Sequence, residues 1–169
     1  MRLKPFARSF ANIDRVLSDL WPSMDRLDPF ETGAEAMKAL VMFGSSAHAR
    51  GLEPELATLV KARALQLTGG KYGEAQCQRM ASHEPALAQK ITVMSDWYTS
   101  RLFSPRERAA LLWAESVSFA TADDVTDTVY AEAARHFPAD ELWALTVAIV
   151  SITSWARIAR TFRMSQGAG

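Results

Sequence analysis

Two helices joined by a double glycine, predicted between residues 54 and 82, limit the possible fold more than any other part of the sequence. In the first helix, apolar side chains recur at the spacing of one buried face: Leu56, Leu59, Val60 and Leu67. Gly69 and Gly70 then interrupt the pattern, because paired glycines weaken a helix and permit a sharp turn. The pattern predicts one helix over about 54–68, with Pro54 in its first turn, and a shorter helix over about 72–82.

The rest of the chain repeats this alternation of helical periodicity and stop signals. It predicts further helices over about 9–21, 33–50, 85–102, 105–120, 125–137 and 138–162, with a linker over 22–32. Gly51 suits the left-handed cap that commonly follows a helix, and Ser104 with Glu107 has the pattern of a capping box. No segment has a convincing strand pattern. The sequence therefore predicts an all-α domain of about seven to eight helices with short connections.

Length and charge restrict the class of protein. The 169 residues suit one buried core, and we expect a helical N-terminal extension over 1–27, a domain over 28–164 and a flexible tail over 165–169. Nineteen basic and nineteen acidic residues cancel, so no basic field favours nucleic acid or an anionic membrane. The uncharged run 142–156 is about three residues shorter than a membrane-spanning helix and is interpreted as a core helix. A single cysteine, Cys77, excludes an internal disulfide and favours the cytoplasm.

Four segments carry a resemblance to a known family. They are GLEPELATLVKAR followed by LQLTGG, LFSPRERAALLWAES, YAEAARHFPADELWALTVAI, and ITSWARIARTFR. In their order, spacing and loop lengths they resemble the carboxymuconolactone decarboxylase and alkylhydroperoxidase D-like (AhpD-like) family over about residues 30–163. The resemblance implies an AhpD-like helical domain, assembly into trimers or hexamers, and an alkylhydroperoxidase or decarboxylase activity.

The peroxidase branch of that family uses a glutamate, a CxxC pair and a histidine four residues after the second cysteine. A thiolate attacks the peroxide, the second cysteine resolves the sulfenic acid into a disulfide, and the glutamate and histidine relay protons. The resemblance puts the glutamate position at Thr58, the two cysteine positions at Gly70 and Gly73, and the histidine position at Cys77. All four are substituted, and glycine has no side chain with which to attack or titrate.

The decarboxylase branch often lacks the cysteines and resembles TGxxYEWxxH in this stretch. Thr68, Gly69 and Tyr72 match that form, whereas Gly73 and Cys77 do not. The chemistry of neither branch transfers to these residues. The expectation that follows is a chain that has kept the family's architecture and lost its CxxC peroxidase site.

Two residues near the altered motif are candidates for relocated chemistry. Cys77 is either a redox-active thiol or a small, half-buried helical side chain, since cysteine is among the most buried residue types. His83, followed by Glu84, is either an acid–base group or part of a turn that opens the next helix. The three histidines are scattered without an i, i+4 pair, so we predict no metal site and no cofactor.

Charged residues interrupt the buried face of the helix over 54–68. Lys61 and Arg63 fall within an apolar stripe, and a buried charge requires a partner. Glu115, among the apolar residues of a later helix, is the candidate partner of Arg63 in a structural ion pair. The alternative is that Arg63 anchors a ligand, and Arg63 and Tyr72 are the candidate ligand-binding residues.

Two functions remain open from the sequence. The first is a non-redox protein that binds a small apolar or acidic ligand or acts as an oligomeric interaction protein. The alternative is a residual or relocated antioxidant or decarboxylase-like enzyme that uses Cys77 or His83. Either is expected to form a homo-oligomer, a dimer, trimer or hexamer, because amphipathic helices with leftover apolar surface bury it against a copy of themselves. Since glycine is a poor interior helix residue by about 1 kcal/mol, Gly73→Cys is expected to stabilise its helix. Restoring all four family residues is then expected to restore peroxide reduction.

Overall fold

The computed structural model describes residues 26–47, 51–83, 85–120 and 124–164. Within those ranges lie eight α-helices and no strand: α1 Pro29–Thr32, α2 Ala34–Ser45, α3 Pro54–Thr68, α4 Gly70–His83, α5 Pro85–Thr92, α6 Pro105–Phe119, α7 Asp127–His136 and α8 Ala139–Thr161. A single 3-10 turn, Met94–Asp96, follows α5. The all-α prediction is confirmed. The predicted helix over 9–21, nearly all of the extension over 1–27, and the tail over 165–169 lie outside the described residues.

Helix α3 lies at the centre of the domain and packs on α4, α6 and α8. Its opposite faces belong to two apolar clusters, one with α6, α7 and α8 and the other with α4, α5 and the segment before α6. Leu59, Val60 and Leu65 are completely buried. Because α3 also carries buried alanines at 57, 62 and 64, neighbouring helix backbones approach it closely. The predicted span of this helix, 54–68, is confirmed.

Local capping signals fix the start of α6 as predicted. The Oγ of Ser104 accepts from the backbone N–H of Glu107 at 3.2 Å, and Oε2 of Glu107 accepts from the backbone N–H of Ser104 at 2.8 Å. This reciprocal pair satisfies two donors that a helix N-terminus leaves without partners. Lys90 of α5 adds an ion pair to Oε1 of Glu107 at 2.5 Å, which ties α5 to the start of α6.

Several predicted helix ends are wrong. The linker over 22–32 contains α1, which Asp28 caps by accepting from the backbone N–H of Phe30 at 2.7 Å. The helix predicted over 33–50 ends at Ser45, and Gly51 is left-handed, with φ of +80°, in the turn before α3 rather than at a helix end. The helix expected to start near residue 125 begins at Asp127, after Thr126 as its cap.

The helix predicted over 85–102 ends at Thr92. The segment after it is a loop whose carbonyls are bound by a side chain of α6. Arg108 of α6 donates hydrogen bonds to the backbone carbonyls of Trp97 at 2.9 Å and of Phe103 at 3.1 Å, and it also contacts those of Tyr98 and Ser100. One guanidinium therefore satisfies carbonyls that a helix would have paired internally.

Helix α8 is 23 residues long and, by length and composition alone, is apolar enough to cross a membrane. The sequence-based argument from the shorter run 142–156 therefore does not decide its environment. Burial decides it, because 56% of its most apolar window is buried against other helices of the domain. It packs on α2, α3 and α6 as a core helix of the domain.

Candidate functional site

The backbones of α3 and α4 touch at the junction where the family motif falls. A Cβ built on Gly73 would lie 2.4 Å from the carbonyl oxygen of Leu65 and 3.0 Å from its carbonyl carbon. The same carbonyl accepts from the backbone N–H of Gly69 at 2.7 Å and so caps α3. No side chain fits at position 73 unless the two helices separate.

Gly70 is restricted for a different reason. Its φ is +53°, in the left-handed region that favours glycine. The guanidinium of Arg160, from the end of α8, lies over it, since a Cβ on Gly70 would be 3.5 Å from Nε of Arg160. The Nη1 of Arg160 donates to the backbone carbonyl of Thr68 at 2.7 Å. The guanidinium of Arg160 therefore lies at ordinary van der Waals distance from the position of a Cβ on Gly70.

Of the other two positions of the motif, one is buried and one is half-buried. Cys77 is buried, and its Sγ lies 3.5 Å from the carbonyl oxygen of Ala62, to which the thiol donates. Burial raises the pKa of the Cys77 thiol, because a thiolate would be desolvated there. Thr58 is half-buried on α3. No exposed nucleophile occupies any of these four positions.

Tyr72 lies beside this junction and is half-buried. Burial raises the pKa of its phenol, and hydrogen bonds from Trp155 and Gln76 together with the charge of Arg79 act in the opposite direction. The bond to Trp155 ties the start of α4 to α8. The aromatic ring is therefore fixed at the edge of the pocket that opens between these two helices.

That pocket has a volume of about 550 Å³. It lies between the first turn of α4 and the end of α8, and eight residues line it: Gly70, Lys71, Tyr72, Ala75, Ala159, Arg160, Arg163 and Met164. Its lining combines three cationic side chains with apolar surface and contains no acidic residue. Its size is that of a small-molecule site.

Arg63 does not line this pocket and takes part in an ion pair with Glu115, as predicted. Its Nε and Nη2 donate to Oε1 of Glu115 at 2.8 and 2.6 Å, and the indole N–H of Trp97 donates to the same oxygen at 2.6 Å. Arg63 also donates to the side chain of Gln66 at 3.1 Å. Burial lowers the pKa of Lys61, whose ammonium forms no hydrogen bond or ion pair with any described residue.

The remaining candidates do not converge on the junction. His83 is exposed at the last residue of α4, and Glu84 lies outside the described residues. Six residues separate His83 from Cys77, which places them about 120° apart around the helix. His136 lies 3.5 Å from Glu132 on α7. Within the described ranges, no three His, Cys, Asp or Glu side chains are grouped as a metal site would require.

The sequence-based predictions do not include Arg160, Arg163 or Lys71. The uncharged run 142–156 is predicted to be a core helix, and the basic residues that follow it have no predicted role. The signal was present, since Arg157, Arg160 and Arg163 recur every three residues at the end of an apolar helix. Arg160 and Arg163 come close to Lys71 because α8 packs against α4. Spacing along one helix does not reveal that packing.

Comparisons with known proteins agree with this architecture. The model of the carboxymuconolactone decarboxylase family matches residues 34–116. An uncharacterised Escherichia coli protein, YnjA, is 33% identical over 98 residues, a match that spans 58% of this chain and 53% of the relative. An uncharacterised Bacillus subtilis protein, YdfG, is 24% identical over 137 residues, covering 79% of this chain and 90% of the relative.

A crystal structure is also similar. It is that of a protein of unknown function from Agrobacterium tumefaciens, suggested to be the antioxidant defence protein AhpD. The TM-score is 0.75 with 28% sequence identity, and the match covers 86% of this chain and all of the other.

Proposed function

We propose that this chain, which belongs to the carboxymuconolactone decarboxylase and AhpD-like family, is a non-redox member that binds a small ligand. The observation that carries the proposal is the close contact at Gly73, where the carbonyl of Leu65 occupies the space of any side chain. A dithiol site needs a cysteine there and another at Gly70. The single cysteine of the chain lies one turn further along α4 and is buried.

The pocket beside the junction supports the binding role. It is next to the positions that carry chemistry in the peroxidase branch, and Tyr72 is among its lining residues. The one thiol per chain fits a reducing compartment, so we place the protein in the cytoplasm.

The purified protein is expected to consume no organic hydroperoxide above the protein-free rate in the presence of a dithiol reductant. Removing a catalytic nucleophile typically lowers kcat by about a thousandfold or more, which is enough to abolish detectable turnover. Peroxide consumption is followed with cumene hydroperoxide and dithiothreitol, and Cys77→Ser is the matched control. Turnover by the unmodified chain would contradict the proposal. If that turnover were absent in Cys77→Ser, the activity would be assigned to the Cys77 thiol.

That alternative, an enzyme based on Cys77 or His83, makes an opposite prediction about the thiol. Burial raises the pKa of Cys77, so the folded protein favours the neutral thiol. The stability that the neutral thiol contributes is full at neutral pH and declines as the pH rises above the ordinary thiol range. Iodoacetamide is expected to label the native protein at pH 7.5 at least tenfold more slowly than the urea-unfolded chain. Equal rates in the two states would favour the reactive-thiol enzyme.

We further propose that the chain forms a homo-oligomer. Helix α2 exposes three consecutive large apolar side chains, Val41, Met42 and Phe43, and Met42 is 65% exposed. Light scattering at micromolar concentration is expected to give a species larger than 18.7 kDa, the mass of one chain. Met42→Lys is expected to shift the population towards the monomer. A monomer throughout the concentration range would rule out this assembly.

A further inference from the structure

The pocket between α4 and α8 has an unbalanced positive charge. Lys71 approaches from the first turn of α4, and Arg160 and Arg163 approach from the end of α8. None of the three forms an ion pair with any acidic residue in the described parts of the chain. Arg63, Lys90 and Arg106 each pair with a glutamate, whereas Lys71, Arg160 and Arg163 are exposed cations with no acidic partner among the described residues. Like charges gathered in one pocket repel each other, and a bound anion would relieve that repulsion.

Arg160 is held in a position from which it can bind an oxyanion. Its Nη1 is fixed by the carbonyl of Thr68 at 2.7 Å, whereas Nε and Nη2 donate to no other residue that the structure describes. Those two nitrogens lie 3.5 and 4.0 Å from the position a Cβ on Gly70 would take. The Nε and Nη2 donors of a guanidinium form a planar pair that matches the two oxygens of a carboxylate or phosphate. The absence of a side chain at Gly70 leaves room beside this pair.

The remainder of the lining is apolar. Ala75, Ala159 and Met164 contribute apolar surface, and the ring of half-buried Tyr72 stands at the edge. A volume of about 550 Å³ holds more than a bare inorganic ion. The lining therefore fits a molecule with one anionic group and an apolar body.

We infer that this pocket binds a small organic anion, with its carboxylate or phosphate group held by Arg160, Arg163 and Lys71 and its apolar body against Tyr72, Ala75 and Met164. The inference rests on the proposed ligand-binding function and specifies the class of ligand. Gly70 has a positive role in it, because a side chain there would fill the space beside the guanidinium of Arg160.

The test is a titration of the full-length, ¹⁵N-labelled protein with four probes, followed by the amide shifts of residues 70–75 and 159–164 and by calorimetry. Benzoate and phenyl phosphate combine an oxyanion with a ring, benzamide is the neutral counterpart of benzoate, and inorganic phosphate lacks the apolar body. At least one of the two aromatic anions is expected to bind saturably and at least tenfold more tightly than benzamide and inorganic phosphate. The preference between benzoate and phenyl phosphate distinguishes a carboxylate from a phosphate ligand.

Variants separate the pocket from general surface charge. Arg163→Gln and Arg160→Gln are each expected to weaken binding at least fivefold, and Arg160→Lys is expected to weaken it as well because it keeps the charge and loses the paired donors. Arg157→Gln, an exposed change on α8 outside the pocket lining, is the matched control and is expected to stay within twofold. Thermal melts confirm that each variant is folded, and Arg163→Gln removes no hydrogen bond to a described side chain.

Three results would overturn the inference. Benzamide binding as tightly as benzoate would show a pocket that takes ligands without selecting charge, which leaves the proposed function intact. Equal weakening by Arg157→Gln would show a general charge effect. Shifts at residues 70–75 and 159–164 that do not saturate with any probe would remove the anion site. Failure of the non-redox function itself is detected separately, by turnover in the hydroperoxide assay.

Discussion

Replacing Gly73 by alanine is expected to destabilise the fold by about 2 kcal/mol, the typical cost of overpacking a close contact. The same exchange in an ordinary helix interior stabilises by about 1 kcal/mol. The contact reverses the sign, because the added Cβ would lie 2.4 Å from the carbonyl oxygen of Leu65. Backbone atoms cannot rotate away as a flexible side chain can, so α4 must move away from α3 and lose part of the apolar contact around Leu65.

Urea unfolding of the wild-type protein and two variants measures this effect. Gly51→Ala is the matched control, since Gly51 is left-handed with φ of +80° but has no atom within 4 Å of its Cβ position. It tests backbone strain without a clash and is expected to cost about 1–2 kcal/mol. A Gly73→Ala variant as stable as the wild type would show that the two helices separate without loss, and would remove the main structural support for the lost dithiol site.

The contact at Gly73 also corrects an expectation from the sequence. Helix propensity alone predicts that Gly73→Cys stabilises α4 and that restoring all four family residues restores peroxide reduction. The structure contradicts the first of these, since a cysteine carries the same Cβ as alanine. A cysteine at position 70 would in addition require a left-handed backbone, with φ of +53°, beside the guanidinium of Arg160. We therefore expect the fourfold variant to be less stable than the wild type and inactive.

The parts of the fold that sequence predicts well are those encoded by neighbouring residues. The span of α3 follows from Pro54, an apolar periodicity and a glycine stop, and the start of α6 follows from the Ser104 and Glu107 pair. The end of α5 could not be predicted, because it depends on a distant contact. Arg108 of α6 donates hydrogen bonds to backbone carbonyls of the loop after α5 and holds that loop in place.

The tryptophans show the same limit. All four of Trp97, Trp113, Trp143 and Trp155 recur at core spacing in the sequence. Trp97 and Trp113 are buried, but Trp143 is 55% exposed on α8. Helix α8 is apolar almost all round through its first half, so periodicity does not identify which of its faces other helices cover. Burial there follows from the positions of α2, α3 and α6, which the local pattern of α8 does not contain.

Among the candidate residues, the ion pair of Arg63 with Glu115 was predictable from the sequence, whereas the pocket between α4 and α8 was not. Arg63 and Glu115 each interrupt an apolar stripe, and two such charges of opposite sign on packed helices have reason to pair. Arg160 lies in the last turn of α8, where a cation is favoured, and Lys71 is an exposed lysine on α4, so neither residue alone signals a site in the sequence. Only the packing of α8 on α4 brings them to one pocket.

Removing the carboxylate of Glu115 is expected to have the largest effect on stability of any single polar change in the described core, about 3 kcal/mol for Glu115→Ala. One oxygen of Glu115 accepts from two nitrogens of Arg63 and from the indole of Trp97. The side chains of Arg63 and Glu115 are only 13% and 27% exposed, so water replaces these bonds incompletely. The substitution leaves a half-buried guanidinium and an indole N–H without their acceptor.

Urea unfolding of Glu115→Ala is compared with that of Arg135→Ala, whose 75% exposed side chain pairs with Glu132. The exposed pair is expected to contribute less than about 1 kcal/mol. The double variant Arg63→Met with Glu115→Leu tests the cause, because removing both charges leaves no unpaired guanidinium. It is expected to recover most of the loss, since apolar replacements of a buried pair are often neutral. A double variant as unstable as Glu115→Ala would place the cost in packing around Trp97, because the ion pair would then contribute little. Recovery would mean that Arg63 has a structural role at this position, which leaves ligand binding to the pocket at the end of α8.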